Sequence, residues 1–147
     1  MKLRIAWIGK TRSSPIRSLT EEYVKRLSRY AACEAREVAS DASLLKLGQK
    51  SGGRMPPVLV LLDSSGRQLT SEEIADFLES HQTRGTQELL FAVGGPDGWS
   101  EAARAAAYDL LSFGRITLPH ELARVVLLEQ LYRAFTILHR HPYHGGH

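Results

Sequence analysis

Apolar and polar positions along the chain mark out its elements before any motif is considered. Leu3, Ile5 and Trp7 alternate with Arg4 and Ala6 until Gly9 ends the run, which predicts a first strand. Ser13-Ser14-Pro15 offers a helix start, and Leu19, Tyr23, Leu27 and Tyr30 follow at near-helical spacing to about Arg29. Cys33 to Val38 reads as a second strand, although its alternation is mostly polar. Ser40 to Leu47 suggests a short basic helix, and Gly48 to Pro57, rich in Gly and Pro, is the most loop-like stretch.

Beyond that loop the pattern sharpens. Val58 to Leu62 is an unbroken aliphatic run, the mark of a strand covered on both faces. Asp63-Ser64-Ser65-Gly66 is expected to turn the chain. Thr70-Ser71-Glu72-Glu73 then caps a helix whose Ile74, Phe77, Leu78 and His81 share a face. Glu88 to Val93 predicts another buried strand, Ser100 opens an alanine-rich helix, and Phe113 to Leu118 predicts a last short strand. Leu122 to Leu138 is a helix apolar around so much of its circumference that it must be buried on more than one side. This β-α-β-α order implies an α/β fold with a mostly parallel sheet and helices on both faces. It is expected to form a single domain over residues 1–147.

Composition changes the picture in two places. One cysteine, Cys33, excludes an intrachain disulfide and a thiolate metal cluster, and is expected to be a small half-buried side chain. The opening MKLRIAWIGK is too short in apolar residues for a signal peptide, and no stretch approaches the roughly 20 apolar residues of a membrane span, so a cytoplasmic protein is expected. The formal charge of +3 is unevenly spread: residues 1–57 carry +7 and residues 58–147 carry −4. A basic half suits a polyanion, whose counterions it displaces, but it also suits a plain solvated surface. Lys46, Lys50 and Arg54 are the candidates for RNA phosphate contacts.

Candidate chemistry gathers late in the chain. The first strand runs into IGKTRSSP, with neither a GxGxxG fingerprint nor a phosphate loop. The glycines come instead as Gly94-Gly95-Pro96-Asp97-Gly98, where backbone can approach a ligand at the carboxyl end of a strand or simply turn. In Phe113-Gly114-Arg115-Ile116-Thr117-Leu118-Pro119-His120-Glu121, the proline ends the sheet ladder and leaves nearby amides and carbonyls free for a ligand edge. A plain strand-to-helix connection fits the same residues. Four of the six histidines, His139, His141, His144 and His147, lie in the tail. A metal site is a rival reading there, but the tail has no cysteine, no neighbouring acid and no i,i+4 pair on a clear helix, so no metal is expected. Arg124 and Arg133 sit on the buried-looking helix and also read as structural, paired arginines.

Taken together, GGPDG, LPHELAR and the HPYH ending at this spacing resemble the ribosomal large-subunit methyltransferase H family, small SPOUT-class enzymes. The resemblance is strongest from Val58 to His144 and looser at KLRIAWIGK. It implies a SPOUT-type fold whose C-terminal part is tied in a trefoil knot. It also implies methylation of N3 of a pseudouridine in 23S rRNA with S-adenosylmethionine as methyl donor, and a homodimer. Matched by motif position, the donor-binding residues fall on Leu62, Gly94, Phe113, Gly114, Arg115, Ile116, Thr117 and Leu118. Candidates for removing the N3 proton or stabilising the resulting anion are Tyr143, His144, Arg133 and His120. A non-catalytic rRNA-binding factor and a metal-dependent nuclease are the competing classes.

Overall fold

The computed structural model describes residues 1–49 and 55–146. Five strands form one fully parallel sheet: β1 (Lys2–Ile8), β2 (Cys33–Val38), β3 (Val58–Gln68), β4 (Glu88–Val93) and β5 (Asp109–Ser112). Their order across the sheet is β2-β1-β4-β3-β5. The helices are α1 (Ser14–Leu27), α2 (Asp41–Leu47), α3 (Ser71–Thr83), α4 (Glu101–Ala106) and α5 (His120–Leu138), with a closing 3-10 turn at His144–Gly146.

Strand alternation sorts side chains into two cores. Leu3, Ile5, Trp7, Val60, Leu89, Phe91 and Val93 face a layer of α1, α3 and α5, which contribute Leu27, Leu78 and Leu128. Ala6, Leu59, Leu61, Leu90 and Ala92 face the other way, against Leu44 of α2, Trp99 and Ala103 of α4. Both sheet faces are therefore covered, as the aliphatic runs of β3 and β4 require. The polar character of β2 follows from its place at the sheet edge, paired only with β1.

Local capping signals were reliable guides. Ser13, Ser40, Thr70 and Ser100 each accept a backbone N–H at a helix start, and Thr70 and Glu73 complete a reciprocal capping box. The apolar circumference of α5 is mostly satisfied inside the chain, because α5 packs against both α1 and α3 as well as the sheet. Among its large apolar residues, Leu122 remains exposed.

Two expectations need correction. Asp63 to Gly66 does not turn the chain away: β3 continues through them, and Leu62 and Arg67 both pair with Leu111 across a register shift. Asp63–Gly66 is thus a bulge held against β5, which Gly66 alone allows, because a Cβ there would lie 2.6 Å from the backbone of Leu110 and Leu111. The last strand is Asp109–Ser112, and Phe113–Leu118 is loop. Its register comes from pairing with β3, more than forty residues earlier, not from local alternation.

Candidate functional site

All five strands end on one edge of the sheet, and a cavity of about 260 Å³ opens at the carboxyl ends of β3, β4 and β5. Open α/β sheets bind ligands at this kind of position, beyond the strand ends where loops diverge. Leu62 and Val93 supply its apolar floor, Gly94 and Gly95 one wall, and the loop after β5 the other. Seven of the eight residues expected at the donor site line it: Leu62, Gly94, Phe113, Gly114, Ile116, Thr117 and Leu118. Arg115 stands on the same loop, exposed, and does not line the cavity.

The walls have physical reasons for their glycines. A Cβ on Gly94 would lie 3.3 Å from the Trp99 ring, whose Nε1 donates to the Leu62 carbonyl at 2.9 Å. Trp99 thus pins the end of β3 to the loop after β4, and a Cβ at Gly94 would press the ring back by a few tenths of an ångström. Gly114 has φ +102°, in the region L side chains rarely adopt. Its N–H donates to Ser112 Oγ, which in turn donates to the Gly114 carbonyl, so the loop is folded on itself. From Arg115 to Leu118 no backbone group bonds to another described residue. These amides and carbonyls are available to a polar ligand edge, and Ile116, 70% exposed, offers an apolar one.

Among the cavity residues that escaped the sequence reading, two anchor its walls. Asp63 is buried in the bulge, and its carboxylate accepts from the Ser65 N–H and hydroxyl and from Arg104 Nε at 2.8 Å. Burial pushes its pKa up, but the Ser65 and Arg104 bonds outweigh that, and the carboxyl ends below its ordinary range. No pattern at Asp63-Ser64-Ser65 signals this, because the arginine comes from α4 forty-one positions later. Trp99 is the other; its signal was a lone aromatic just after a glycine-rich turn.

The four candidates for proton chemistry divide into two places. His120, first residue of α5, lines the cavity with Ala123. Arg133, Tyr143 and His144 form a separate cluster. Arg133 lies ten residues beyond Ala123, about 15 Å along the helix axis. Its guanidinium pairs with Glu129 Oε1 through Nη2 at 2.7 Å and Nε at 2.9 Å, and lies 4.9 Å over the Tyr143 ring. The Tyr143 hydroxyl donates to the same Glu129 oxygen at 3.1 Å. Burial, with Tyr23 and Glu129 beside it, pushes the phenol's pKa up, so Tyr143 acts as a hydrogen-bond donor.

His144 Nδ1 lies 3.1 Å from Arg133 Nη1, and Nε2 lies 2.8 Å from Glu72 Oε1. Arginine only donates, so Nδ1 accepts and Nε2 carries the proton given to Glu72. Held like this, His144 has no free nitrogen with which to take a proton. The tail reaches this position through Arg140, whose φ of +56° reverses the chain after α5. The tail has acidic neighbours after all, Glu72 from α3 and Glu129 from α5, which its own sequence does not contain. Among the described residues, no group of three or more His, Cys, Asp and Glu is placed to hold a metal ion.

The basic residues proposed for RNA lie elsewhere again. Lys46, at the end of α2, borders a cavity with Lys2, Pro57 and Glu88, at the amino ends of the strands and opposite the donor-type cavity. Lys50 and Arg54 lie outside the described residues. Cys33 is half-buried, and burial pushes its thiol up to about 11, which keeps it protonated and unreactive. No described helix is long and apolar enough to cross a membrane.

Comparison with known proteins bears directly on this arrangement. Residues 1–144 match a family described as "Predicted SPOUT methyltransferase". A protein of Koribacter versatilis named Ribosomal RNA large subunit methyltransferase H is 58% identical over 147 residues, covering the whole of both chains. Proteins of the same name from Gloeobacter violaceus and Geobacter sp. strain M21 are 44% and 43% identical, each spanning 98% or more of both chains. Among solved structures, a probable methylase family protein from Haemophilus influenzae superposes with a TM-score of 0.59 at 11% identity, covering 96% of this chain and 69% of that one. The SpoU methyltransferase AviRb from Streptomyces viridochromogenes, solved with AdoMet, gives 0.55 at 18% identity, covering 88% and 56%. These two likenesses concern the fold.

Proposed function

Because this chain belongs to the SPOUT methyltransferase family, within its ribosomal RNA large subunit methyltransferase H group, we propose that it methylates N3 of a pseudouridine in 23S rRNA, with S-adenosylmethionine as donor. The observation that carries this reading is full-length identity to relatives of that name, joined to a cavity at the strand ends lined by seven of the expected donor residues. The cavity suits the donor chemically. Leu62, Ile116 and Leu118 offer apolar surface for a nucleoside ring, and the unbonded backbone of Arg115–Leu118 offers donors and acceptors for its edge. Gly94 and Gly114 let backbone come close where a side chain would intrude.

The donor, when bound, supplies an electrophilic methyl on a sulfonium, so no metal is needed. What remains for the protein is alignment and proton removal. The N3–methyl bond forms as the sulfur–methyl bond breaks, and the N3 proton leaves to a base or to water. Holding the two reactants in line is worth about 7–11 kcal/mol, and a placed base or anion stabiliser contributes a further ~10²–10⁴-fold. His120, at the cavity, is placed to accept a proton. Arg133 and Tyr143, as donors, suit stabilisation of a developing imide anion, and His144 serves as base once released from Arg133.

The working unit in this reading is a homodimer of single-domain chains acting in the cytoplasm on the ribosome or its large subunit. Within one chain the Arg133–Tyr143–His144 cluster does not adjoin the donor cavity. A second copy is therefore needed to bring a tail to each pocket. Exposed Leu122 and Ile116, beside the cavity mouth, provide apolar surface for that contact.

The direct test is mass mapping of 23S rRNA fragments after incubation of unmodified large subunits with the protein and labelled donor. One added methyl on a pseudouridine-containing fragment is expected. Binding of rRNA with neither donor binding by calorimetry nor methyl transfer would favour a non-catalytic rRNA-binding protein instead.

A further inference from the structure

A second cavity, of about 420 Å³, opens on the same sheet edge at the carboxyl ends of β1 and β2. Trp7 forms part of its wall, Lys10 and Thr11 come from the loop after β1, Arg36 from β2, and Arg17 and Thr20 from α1. Lys10, Arg17 and Arg36 are exposed, and none of them forms an ion pair among the described residues. The amino edge differs. There Lys2 and Arg4 are both held by Glu34, and Arg4 also lies 3.5 Å from Glu88. Lys2 and Arg4 at the amino edge are thus already matched with acids, although, among the described residues, Lys46 there is not, whereas the three cations around the second cavity all keep their charge for something else. Glu21 and Glu37 also border the cavity, leaving its lining with one net positive charge.

A buried cation stands behind this lining. Arg124 is 1% exposed and forms no ion pair among the described residues, though Glu121 and Glu37 lie near enough to act on its charge. Its Nη1 donates to Thr11 Oγ1 at 2.9 Å, its Nη2 lies 3.3 Å from the carbonyls of Ile8 and Gly9, and its guanidinium sits 5.2 Å from the Trp7 ring centroid. Both Arg124 Nε and Trp7 Nε1 are buried without a hydrogen-bond partner among the described residues. Burying an unpaired guanidinium costs several kcal/mol unless something offsets it. A charge kept there raises the positive potential of the cavity whose walls it braces. Arg124 also follows Ala123, which lines the donor-type cavity, and Gly95 of that cavity packs against Ile8. The two cavities therefore share a wall made of the β1 exit and the first turns of α5.

We propose that the cavity at the ends of β1 and β2 is a phosphate subsite that holds the RNA backbone beside the target nucleotide, with Lys10, Arg17 and Arg36 as its ligands. The inference rests on the rRNA methyltransferase reading. Thr11 and Thr20 add hydroxyls to the set, and Arg17, which donates to the Thr11 carbonyl at 3.1 Å, is already oriented at the rim. Phosphates position a nucleic acid without reading its sequence. A subsite one loop away from the donor pocket would set where along the strand the reactive base falls. Arg124 is a positioning residue in this scheme, since it touches Thr11 and Trp7 and not the RNA.

The test uses the full-length protein with a large-subunit rRNA fragment. The Lys10→Ala/Arg36→Ala double variant alters exposed side chains, and thermal melts should match wild type. Its donor affinity by calorimetry should be unchanged. KM for RNA should rise with kcat nearly constant, and the slope of log affinity against log salt should fall by about 0.7–0.9 for each phosphate the variant no longer neutralises. Lys2→Ala, at the opposite edge where Glu34 already pairs the lysine, should leave that slope where it was. Glu37→Gln should tighten RNA binding by removing an acid from the rim. Unchanged RNA affinity and salt slope in a folded double variant, with wild type binding and methylating normally, overturns the subsite. Failure of wild-type protein to bind or methylate any rRNA overturns the functional reading beneath it instead.

Discussion

Two glycines show how single atoms set this molecule's architecture. Gly66 passes so close to β5 that an added Cβ would sit 2.6 Å from three backbone atoms of Leu110 and Leu111, which no rotamer change can relieve. Gly66→Ala should therefore cost at least the about 1–3 kcal/mol usual for overpacking, seen as a lower urea midpoint or loss of soluble protein. A wild-type midpoint would show that the bulge can shift freely. Gly94 is crowded by a side chain instead. Gly94→Val should push the Trp99 ring, weaken its bond to the Leu62 carbonyl, and abolish donor binding while the fold persists. Tryptophan fluorescence would report the first effect and calorimetry the second, and normal donor affinity in a folded variant would remove this loop from the site. At this scale the sequence was half legible. Gly94 stood in a readable GGPDG turn, whereas Gly66 and Asp63 looked like ordinary turn residues because their partners, Leu110, Leu111 and Arg104, are distant in sequence.

At the scale of elements, legibility followed locality. The α3 start was readable because Thr70 and Glu73 satisfy each other within four residues. The buried strands β3 and β4 announced themselves by unbroken aliphatic runs. β5 did not: Asp109-Leu110-Leu111-Ser112 has two apolar residues and is a strand only because β3 lies beside it. The α3–β4 connection carries its own testable signature in His81. This side chain is 2% exposed and shares a 2.8 Å hydrogen bond with Thr86 Oγ1. Burial, helped by Arg84, lowers its pKa below the ordinary value of 6.5. The unfolded chain therefore takes up a proton before the folded one does. The stability that neutral His81 contributes is complete above about pH 6.5 and is lost as pH falls through the window beneath it. Urea unfolding at about pH 7.5 and about pH 5 should show that loss, and His81→Gln should reduce it. An identical pH dependence in the variant would assign the slope to other groups.

At the scale of the whole molecule, the donor-type cavity and the tail cluster sit at different ends of α5, and the proposed dimer rests on that separation. Arg133 cannot move relative to Ala123 without breaking the helix, so it cannot serve the cavity of its own chain. His144 is tied between Arg133 and Glu72, and Tyr143 to Glu129, so the tail as placed is a packed unit and not a base waiting for substrate. A two-fold partner resolves the separation if its tail end faces this chain's strand ends. The apolar girth of α5 does not by itself call for a partner, because α1 and α3 cover most of it, and the separation of the two clusters is the stronger ground. The prediction is complementation. One inactive variant carries Gly94→Val, and the other is truncated before Tyr143. After subunit exchange at equal amounts, half the dimers are mixed, and each mixed dimer has one intact pocket facing one intact tail. Activity should return to about a quarter of wild type, as random pairing of two-fold dimers requires. Sedimentation as a monomer at assay concentration, or no recovery despite proven exchange, would mean that each chain works with its own tail. The role of Arg133 in the reaction would then fall with the dimer.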